Sequence, residues 1–194
     1  MENIRELIKE LNLDTNLTTE DIPEIDLYMD QVIQLFESKY ESTKRNEHDK
    51  VLTKTMINNY AKGKLFFPVK NKRYTKEHIM LISLIYQLKS ALSINDIKKS
   101  LTRLNSKVVE EEFELENLYK SYETLSKRNV EHFAENVLQI NQEVAAEVPD
   151  DEDNQYMEQL LLIASFTHMG NLYRKAAEKI VDEIADNPPS SNEK

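Results

Sequence analysis

Apolar residues along this chain recur mostly three and four apart, the period of one helix face. Ile4, Leu7, Ile8 and Leu11 predict a short amphipathic helix over 2–11, followed by a connection, 12–23, in which Pro23 fixes the entry to the next element. Leu27, Tyr28, Val32, Ile33, Leu35 and Phe36 predict a second helix over 26–40, with Asp26 and Asp30 near its positive N-terminal end. The stretch 41–51 has no period and reads as an exposed loop, in which His48 is a solvated residue rather than a ligand.

Thr53 is a suitable N-cap for a helix running to Lys62, and Gly63 is its stop. Met56, Ile57, Tyr60 and Ala61 would face inward there, leaving Lys54, Thr55, Asn58, Asn59 and Lys62 outside. The next stretch, 65–74, predicts a small β-hairpin. Leu65, Phe66, Phe67 and Val69 favour strand, Pro68 suits an edge, and Lys70, Asn71 and Lys72 supply the turn. Phe66 and Phe67 are expected to anchor the hairpin to the core rather than stack on bases.

Thr75 caps a largely buried helix over 76–92, with His78 in its first turn as a structural residue. Ser93 and Asp96 form a near capping box that opens a helix with Ile97, Leu101 and Leu104 inside and Lys98, Lys99 and Arg103 outside. A long helix then runs through Leu115, Leu118, Tyr122, Leu125, Val130, Phe133, Val137, Ile140 and Val144 to about residue 147, where Pro149 ends it. Beyond an acidic linker, 150–153, a final helix over 156–185 is apolar on more than one face. Leu160, Ile163, Phe166, Met169, Tyr173 and Ile180 are its candidate dimerisation residues, and Ala164, Gly170, Ala176 and Ala177 would permit close helix approach. The tail, 188–194, is expected to be disordered.

Composition supports a mainly α chain: 31% of residues are charged, and there are two glycines among 194 residues. The absence of cysteine excludes disulfides and thiolate metal sites. The longest apolar run, around 160–166, is too short to span a bilayer, so a soluble cytoplasmic protein without membrane contact is expected.

Charge changes the picture most. The net charge is −10, yet residues 50–108 hold thirteen Lys or Arg against two acids, Glu77 and Asp96. A basic island in an acidic chain can be the electrostatic footprint of a nucleic-acid site; the alternative is a solvated basic face with no partner. Thr53, Lys54, Thr55, Asn58, Asn59 and Lys62 on the helix, then Lys64, Lys70, Asn71, Lys72, Arg73 and Tyr74, are the candidate DNA-binding residues. Asparagine can bond adenine through two hydrogen bonds or contact phosphate, and a basic hairpin tip can meet phosphates or enter a minor groove. No glycine-rich phosphate loop, nucleophile motif or carboxylate–histidine constellation is present, so no enzyme, metal or cofactor is expected. His132 and His168 could meet across the last two helices, but without further ligands they define no site.

Residues 53–104 resemble the winged helix-turn-helix of the MerR family of transcription regulators. The run from Thr55 to Leu65 lies without gaps on the family's T-L-R-Y-Y-E-x-x-G-L-L stretch, with Ile57 at its arginine and Asn58-Asn59 at its tyrosine pair. Pro68 lies one residue after the wing proline. Arg73-Tyr74-Thr75 resembles the wing return, and Ala91 to Lys98 resembles G-F-S-L-x-E-I-K. The stretch 22–104, with its LTKTMINNY and YTKEHI core, is closer still to an uncharacterised bacterial MerR-like family of unknown function. The resemblance implies a dimeric DNA binder with C-terminal helices for dimerisation or effector sensing.

The resulting expectation is a mainly α protein. An N-terminal helix and connection (1–24) would precede a MerR-like winged helix-turn-helix with a small β-hairpin wing (25–106), then a helical dimerisation or effector region built as a long-helix hairpin (107–187). Its expected function is a homodimeric regulator of double-stranded DNA, with helix 53–62 in the major groove and the basic tip 70–73 on the backbone. The alternative is a helical interaction module whose basic face docks an acidic protein partner or its own acidic helices.

Overall fold

In the computed structural model, residues 4–111, 113–148 and 153–186 are described; Pro149, most of the expected linker and the expected tail lie outside them. Among these residues the chain is mainly helical, with one small antiparallel sheet. The elements are α1 (Ile4–Glu10), β1 (Leu27–Tyr28), α2 (Met29–Tyr40), α3 (Lys54–Lys62), β2 (Arg73–Tyr74), α4 (Lys76–Leu88), α5 (Ile94–Glu110), α6 (Leu115–Glu147) and α7 (Asn154–Asp186).

The helix at the centre is α4. His78, Ile79, Met80, Leu81, Ile82, Ser83 and Ile85 are all buried, so it has almost no solvent face. Full burial of each large aliphatic there is worth about 1.5–3 kcal/mol. Val32, Phe36 and Tyr40 of α2, Ile57 and Tyr60 of α3, and Ile97 and Leu101 of α5 close around it. The core crosses the domain limits expected from sequence: Leu17 and Ile22 enter from one side, Leu115 and Tyr119 from the other. Tyr119 ties these ends together, since its hydroxyl donates to the Leu17 carbonyl at 2.7 Å and lies 2.8 Å from Ser83 Oγ. Burial pushes its pKa well up, so the phenol stays protonated.

The loop expected between the second and third helices is irregular apart from a 3-10 turn, Glu41–Thr43. It is nonetheless held firmly. Glu37 forms an ion pair with Lys44 at 2.6 Å and accepts from the Val51 amide at 2.9 Å, which seats Val51 and Leu52 in the core. The Lys44 hydrogen bond holds the Glu37 carboxyl below its ordinary pKa, ahead of the Val51 and Leu52 amides.

The structure corrects two expectations and adds a detail to a third, the stop of α3 at Gly63, which holds. First, 65–74 is not a self-contained hairpin. Only Lys70 and Arg73 bridge across the turn, and Arg73–Tyr74 pairs instead with Leu27–Tyr28, so the expected second helix begins as a strand and turns helical at Met29. The physical reason is visible in 65–69. Pro68 has no N–H to offer a ladder, and two carbonyls are already claimed by side chains. Asn105 donates to Leu65 O at 2.9 Å, and His78 Nε2 lies 3.2 Å from Phe67 O.

Second, Gly63 caps α3 in ordinary right-handed geometry, φ −69°, while Lys64 takes the left-handed position at φ 56°. Leu65 N donates to Tyr60 O and Lys64 N to Ala61 O, both at 3.0 Å, which is the Schellman closure with a lysine where glycine is usual. Third, the helix expected over 76–92 stops at Leu88. Ser93 must be extended to cap α5, where its Oγ accepts from the Asp96 amide at 3.1 Å.

The α6–α7 pair forms the expected long-helix hairpin. The N-terminal half of α7 packs on α6 through Leu162, Phe166 and Met169 against Ile140 and Val144. Its C-terminal half packs on the main core, where Val181 is buried and Ala177 partly so. Among the described residues no helix is long and apolar enough to cross a membrane.

Candidate nucleic-acid interface

The outward face of α3 begins at Thr53, whose Oγ1 accepts from the Met56 amide at 3.2 Å and so serves the cap. Lys54, Thr55, Asn58, Asn59 and Lys62 are all exposed, one face of an amphipathic helix whose other face buries Ile57 and Tyr60. Lys64 follows, exposed on its left-handed backbone.

The second part is the tight turn 70–73. Asn71 and Lys72 have φ of 52° and 59°, and Arg73 N donates to Lys70 O at 3.0 Å. Two consecutive left-handed residues make this a type I′ turn, in which asparagine is favoured and lysine is not. Lys70, Asn71, Lys72 and Arg73 are exposed. Tyr74, expected among the contact residues, is instead buried at 4%, with its ring 6.3 Å from Phe66 and 6.0 Å from His78. Strand alternation explains this: Arg73 faces out, so Tyr74 faces in.

Phe66, Phe67 and His78 hold the root of the turn. Phe66 is buried, and the half-buried Phe67 ring lies 3.9 Å from the His78 ring. The Thr75 amide donates to His78 Nδ1 at 3.2 Å, leaving the proton on Nε2 to bond the Phe67 carbonyl. Burial lowers the His78 pKa and outweighs the Phe67 carbonyl, which pulls it upward.

Two residues the sequence reading missed join α3 to the turn across the start of α2. The Arg73 guanidinium lies 4.8 Å from the centre of the Tyr28 ring and donates to the Tyr28 hydroxyl at 3.1 Å. Two residues on, Asp30 pairs with Lys54 at 2.7 Å, with both side chains more than half exposed. Tyr28 and Asp30 read locally as parts of a helix face. Their partners lie far along the chain, and no local signal announces a strand pairing at that range.

The basic island divides in two. Lys76 is bridged by Glu24 and by Glu116, which together raise its pKa, Glu24 first. Lys99 lies 3.8 Å from Asp96 and from Asp182 of α7, and Lys107 pairs with Glu111 at 2.8 Å. Lys89 rests its ammonium 4.4 Å from the Tyr86 ring centre, and burial lowers its pKa. By contrast, no carboxylate among the described residues lies within ion-pair distance of Lys62, Lys64, Lys70, Lys72 or Arg73. The same holds for Lys98 and Arg103 on α5.

Two hollows lie near these elements. A cleft of about 1040 Å³ separates the root of the turn from the α5–α6 junction, with Phe67, Pro68, His78, Val108 and Phe113 in its walls. The α6–α7 hairpin holds a shallow groove of about 300 Å³ beside Ile140, Val144 and Leu161. His132 and His168 are exposed on α6 and α7, and the described residues contain no group of three potential metal ligands. Of the candidate dimerisation residues, Leu160, Ile163, Tyr173 and Ile180 are exposed, whereas Phe166 and Met169 pack within the hairpin.

Residues 17–122 match the family described as Domain of unknown function (DUF1836), and the chain belongs to that family. The match takes in α2, α3, the turn, α4, α5 and the start of α6, and it excludes α7. No curated protein and no solved structure matches the chain.

Proposed function

We propose that this protein is a DNA-binding transcriptional regulator acting as a dimer. In this reading α2, α3 and the 70–73 turn work as a winged helix-turn-helix of MerR-like kind. Helix α3 enters the major groove of double-stranded DNA, and the turn grips the flanking backbone. The observation that carries it is the division of the basic island: Lys62, Lys64, Lys70, Lys72 and Arg73, at the end of α3 and on the turn, have no carboxylate partner among the described residues, nor do Lys98 and Arg103 of α5, whereas Lys54 pairs with Asp30, and Lys76, Lys99 and Lys107 pair with the protein's own acids. Unpaired cations beside exposed Asn58 and Asn59 suit a phosphate backbone with base edges between. Arg73, held against Tyr28, acts as a fixed phosphate clamp, while Lys70 and Lys72 reach from the tip.

A second reading, docking of the basic face on an acidic protein, draws support from the Lys99–Asp182 contact between α5 and α7. Fluorescence anisotropy with a duplex from upstream of the gene and a scrambled duplex separates the two. The regulator reading expects tighter binding to the upstream duplex and its loss in Lys72→Ala/Arg73→Ala. An absence of binding to both duplexes at low salt contradicts it and leaves the docking module.

A further inference from the structure

The cleft beside the turn has the size and the walls of a ligand site. At about 1040 Å³ it lies at the top of the range of small-molecule sites. One wall is Phe67 and Pro68 at the root of the turn, and the other is Val108, Val109 and Phe113 at the α5–α6 junction. Val109 is 60% exposed, and Phe67, Val108 and Phe113 are half-buried, so both walls present hydrocarbon to the opening. The walls are also held in place. His78 fixes Phe67 through the 3.9 Å ring contact and the hydrogen bond to its carbonyl. Across the cleft, Lys76 at the start of α4 pairs with Glu116 at the start of α6 at 3.0 Å, and the Phe113 amide donates to the Lys107 carbonyl. A concavity fixed in this way needs little ordering when a ligand enters.

Charge narrows the class of ligand. The lining includes Lys70 and Arg73 on the turn, and Asp26, Glu77 and Glu114. Glu116 and Lys120, the remaining charged side chains there, pair with each other at 2.6 Å. The rest do not pair. Among the described residues no ion pair joins Lys70 or Arg73 to a carboxylate, or Asp26, Glu77 or Glu114 to a cation. Glu77 is half-buried and accepts from Thr75 Oγ1 at 2.6 Å, which keeps it with the cap of α4. Asp26 and Glu114 are exposed. One cleft therefore offers two free cations, two free carboxylates and apolar walls.

We propose that this cleft binds an amphipathic zwitterion, a short apolar peptide with free termini. Its carboxylate meets Lys70 and Arg73, its ammonium meets Asp26 and Glu114, and its side chains lie between the two walls. Arg73 has donors to spare, because only Nη2 is engaged by the Tyr28 hydroxyl, and a guanidinium suits a carboxylate. A plain organic anion would leave Asp26 and Glu114 unmatched, and a plain organic cation would leave Lys70 and Arg73 so. The inference goes beyond the DNA-binding reading and does not depend on it. One consequence does rest on that reading: a bound peptide would compete with a duplex for Lys70 and Arg73.

Equilibrium dialysis of the full chain without DNA tests this. The probe is a pool of tripeptides of Leu, Ile, Val and Phe with free termini at millimolar concentration, and retained peptide is read by mass spectrometry. N-acetylation of the pool should lower retention by about tenfold or more, and so should C-amidation, since each removes charge-assisted hydrogen bonds. Lys70→Gln/Arg73→Gln should lose the preference for free over amidated peptide and keep that over acetylated peptide. Asp26→Asn/Glu114→Gln should do the reverse. All four side chains are exposed, so both variants should keep the parent's helix content. No retention of the free pool, or equal retention of free and capped pools, would overturn the proposal. Sensitivity to one cap alone would also overturn it, by showing a site for a simple anion or a simple cation. Failure of the duplex-binding experiment would leave this retention pattern unchanged.

Discussion

Arg73 lies against Tyr28, with its guanidinium 4.8 Å from the ring centre and bonded to the hydroxyl at 3.1 Å. The two residues are also register partners in the β1–β2 pairing, so backbone and side chains hold the turn to the start of α2 together. An arginine fixed this way loses less conformational freedom on meeting a phosphate than a free lysine does.

Tyr28→Ala should therefore weaken duplex binding through Arg73 without unfolding the protein, because Tyr28 is half exposed. A surface cation–π contact is worth about 0.5–1 kcal/mol, which corresponds to a loss of roughly two- to fivefold. Tyr28→Phe keeps the ring and should lose less. Anisotropy titrations at fixed salt decide; equal affinity for all three proteins would remove Tyr28 from the interface.

Lys64 holds a left-handed backbone that favours glycine. Lys64→Gly should raise stability by up to about 1 kcal/mol, and Lys64→Val should lower it, since a branched side chain tolerates that region least. Urea unfolding midpoints test this. A lower midpoint for Lys64→Gly would mean that the lysine contributes contacts outweighing the strain.

The two buried tyrosines should respond oppositely to loss of the hydroxyl. The Tyr60 hydroxyl is buried without a hydrogen-bond partner among the described residues, whereas that of Tyr119 bonds both Leu17 and Ser83. Tyr60→Phe should be neutral or stabilising by up to about 1 kcal/mol, and Tyr119→Phe should cost about 1–2 kcal/mol. Thermal melts of the two variants beside the parent give the comparison, and a destabilised Tyr60→Phe would reveal a missed partner.

Acid should act early through His78. Burial holds its pKa below the ordinary 6.5, so the unfolded chain binds a proton that the folded protein refuses. The stability tied to neutral His78 is full above pH 6.5 and is lost as pH falls through that value toward the folded pKa. The carboxyls of Asp21 and Glu37 are also held below their ordinary values, and their contribution is lost only at lower pH, as it falls below 3.8 and 4.5. His78→Gln can still accept from Thr75 and donate to Phe67. Between about pH 7.5 and 5.5 its urea midpoint should fall less than the parent's; parallel curves would contradict this role for His78.

Local patterning foretold the parts of this fold that are locally determined. The caps at Thr53 and Ser93, the end of α6 at Glu147 and the apolar face of α3 all follow from residues within one or two turns of each other. What the sequence reading missed involves partners far apart. The Leu27–Tyr28 strand exists because Arg73–Tyr74 pairs with it, and 65–69 is irregular because Asn105 and His78 take its carbonyls. The same distance hid Tyr28 and Asp30 from the candidate interface. Tyr74 was misplaced for a narrower reason: in a two-residue strand, register alone decides which side chain faces out.

The salt dependence of duplex binding tests the central claim most directly. If the dimer neutralises roughly six phosphates, log affinity should fall with log salt at a slope of about −5. Lys72→Ala/Arg73→Ala removes two contacts per subunit, four per dimer, and should reduce the magnitude of that slope by about 4, since each lost phosphate contact removes about one. A shallower slope in the variant, with its helix content unchanged, is the predicted result. The same slope in both proteins, or no duplex binding at low salt, would contradict the assignment of α3 and the turn as a DNA-binding surface.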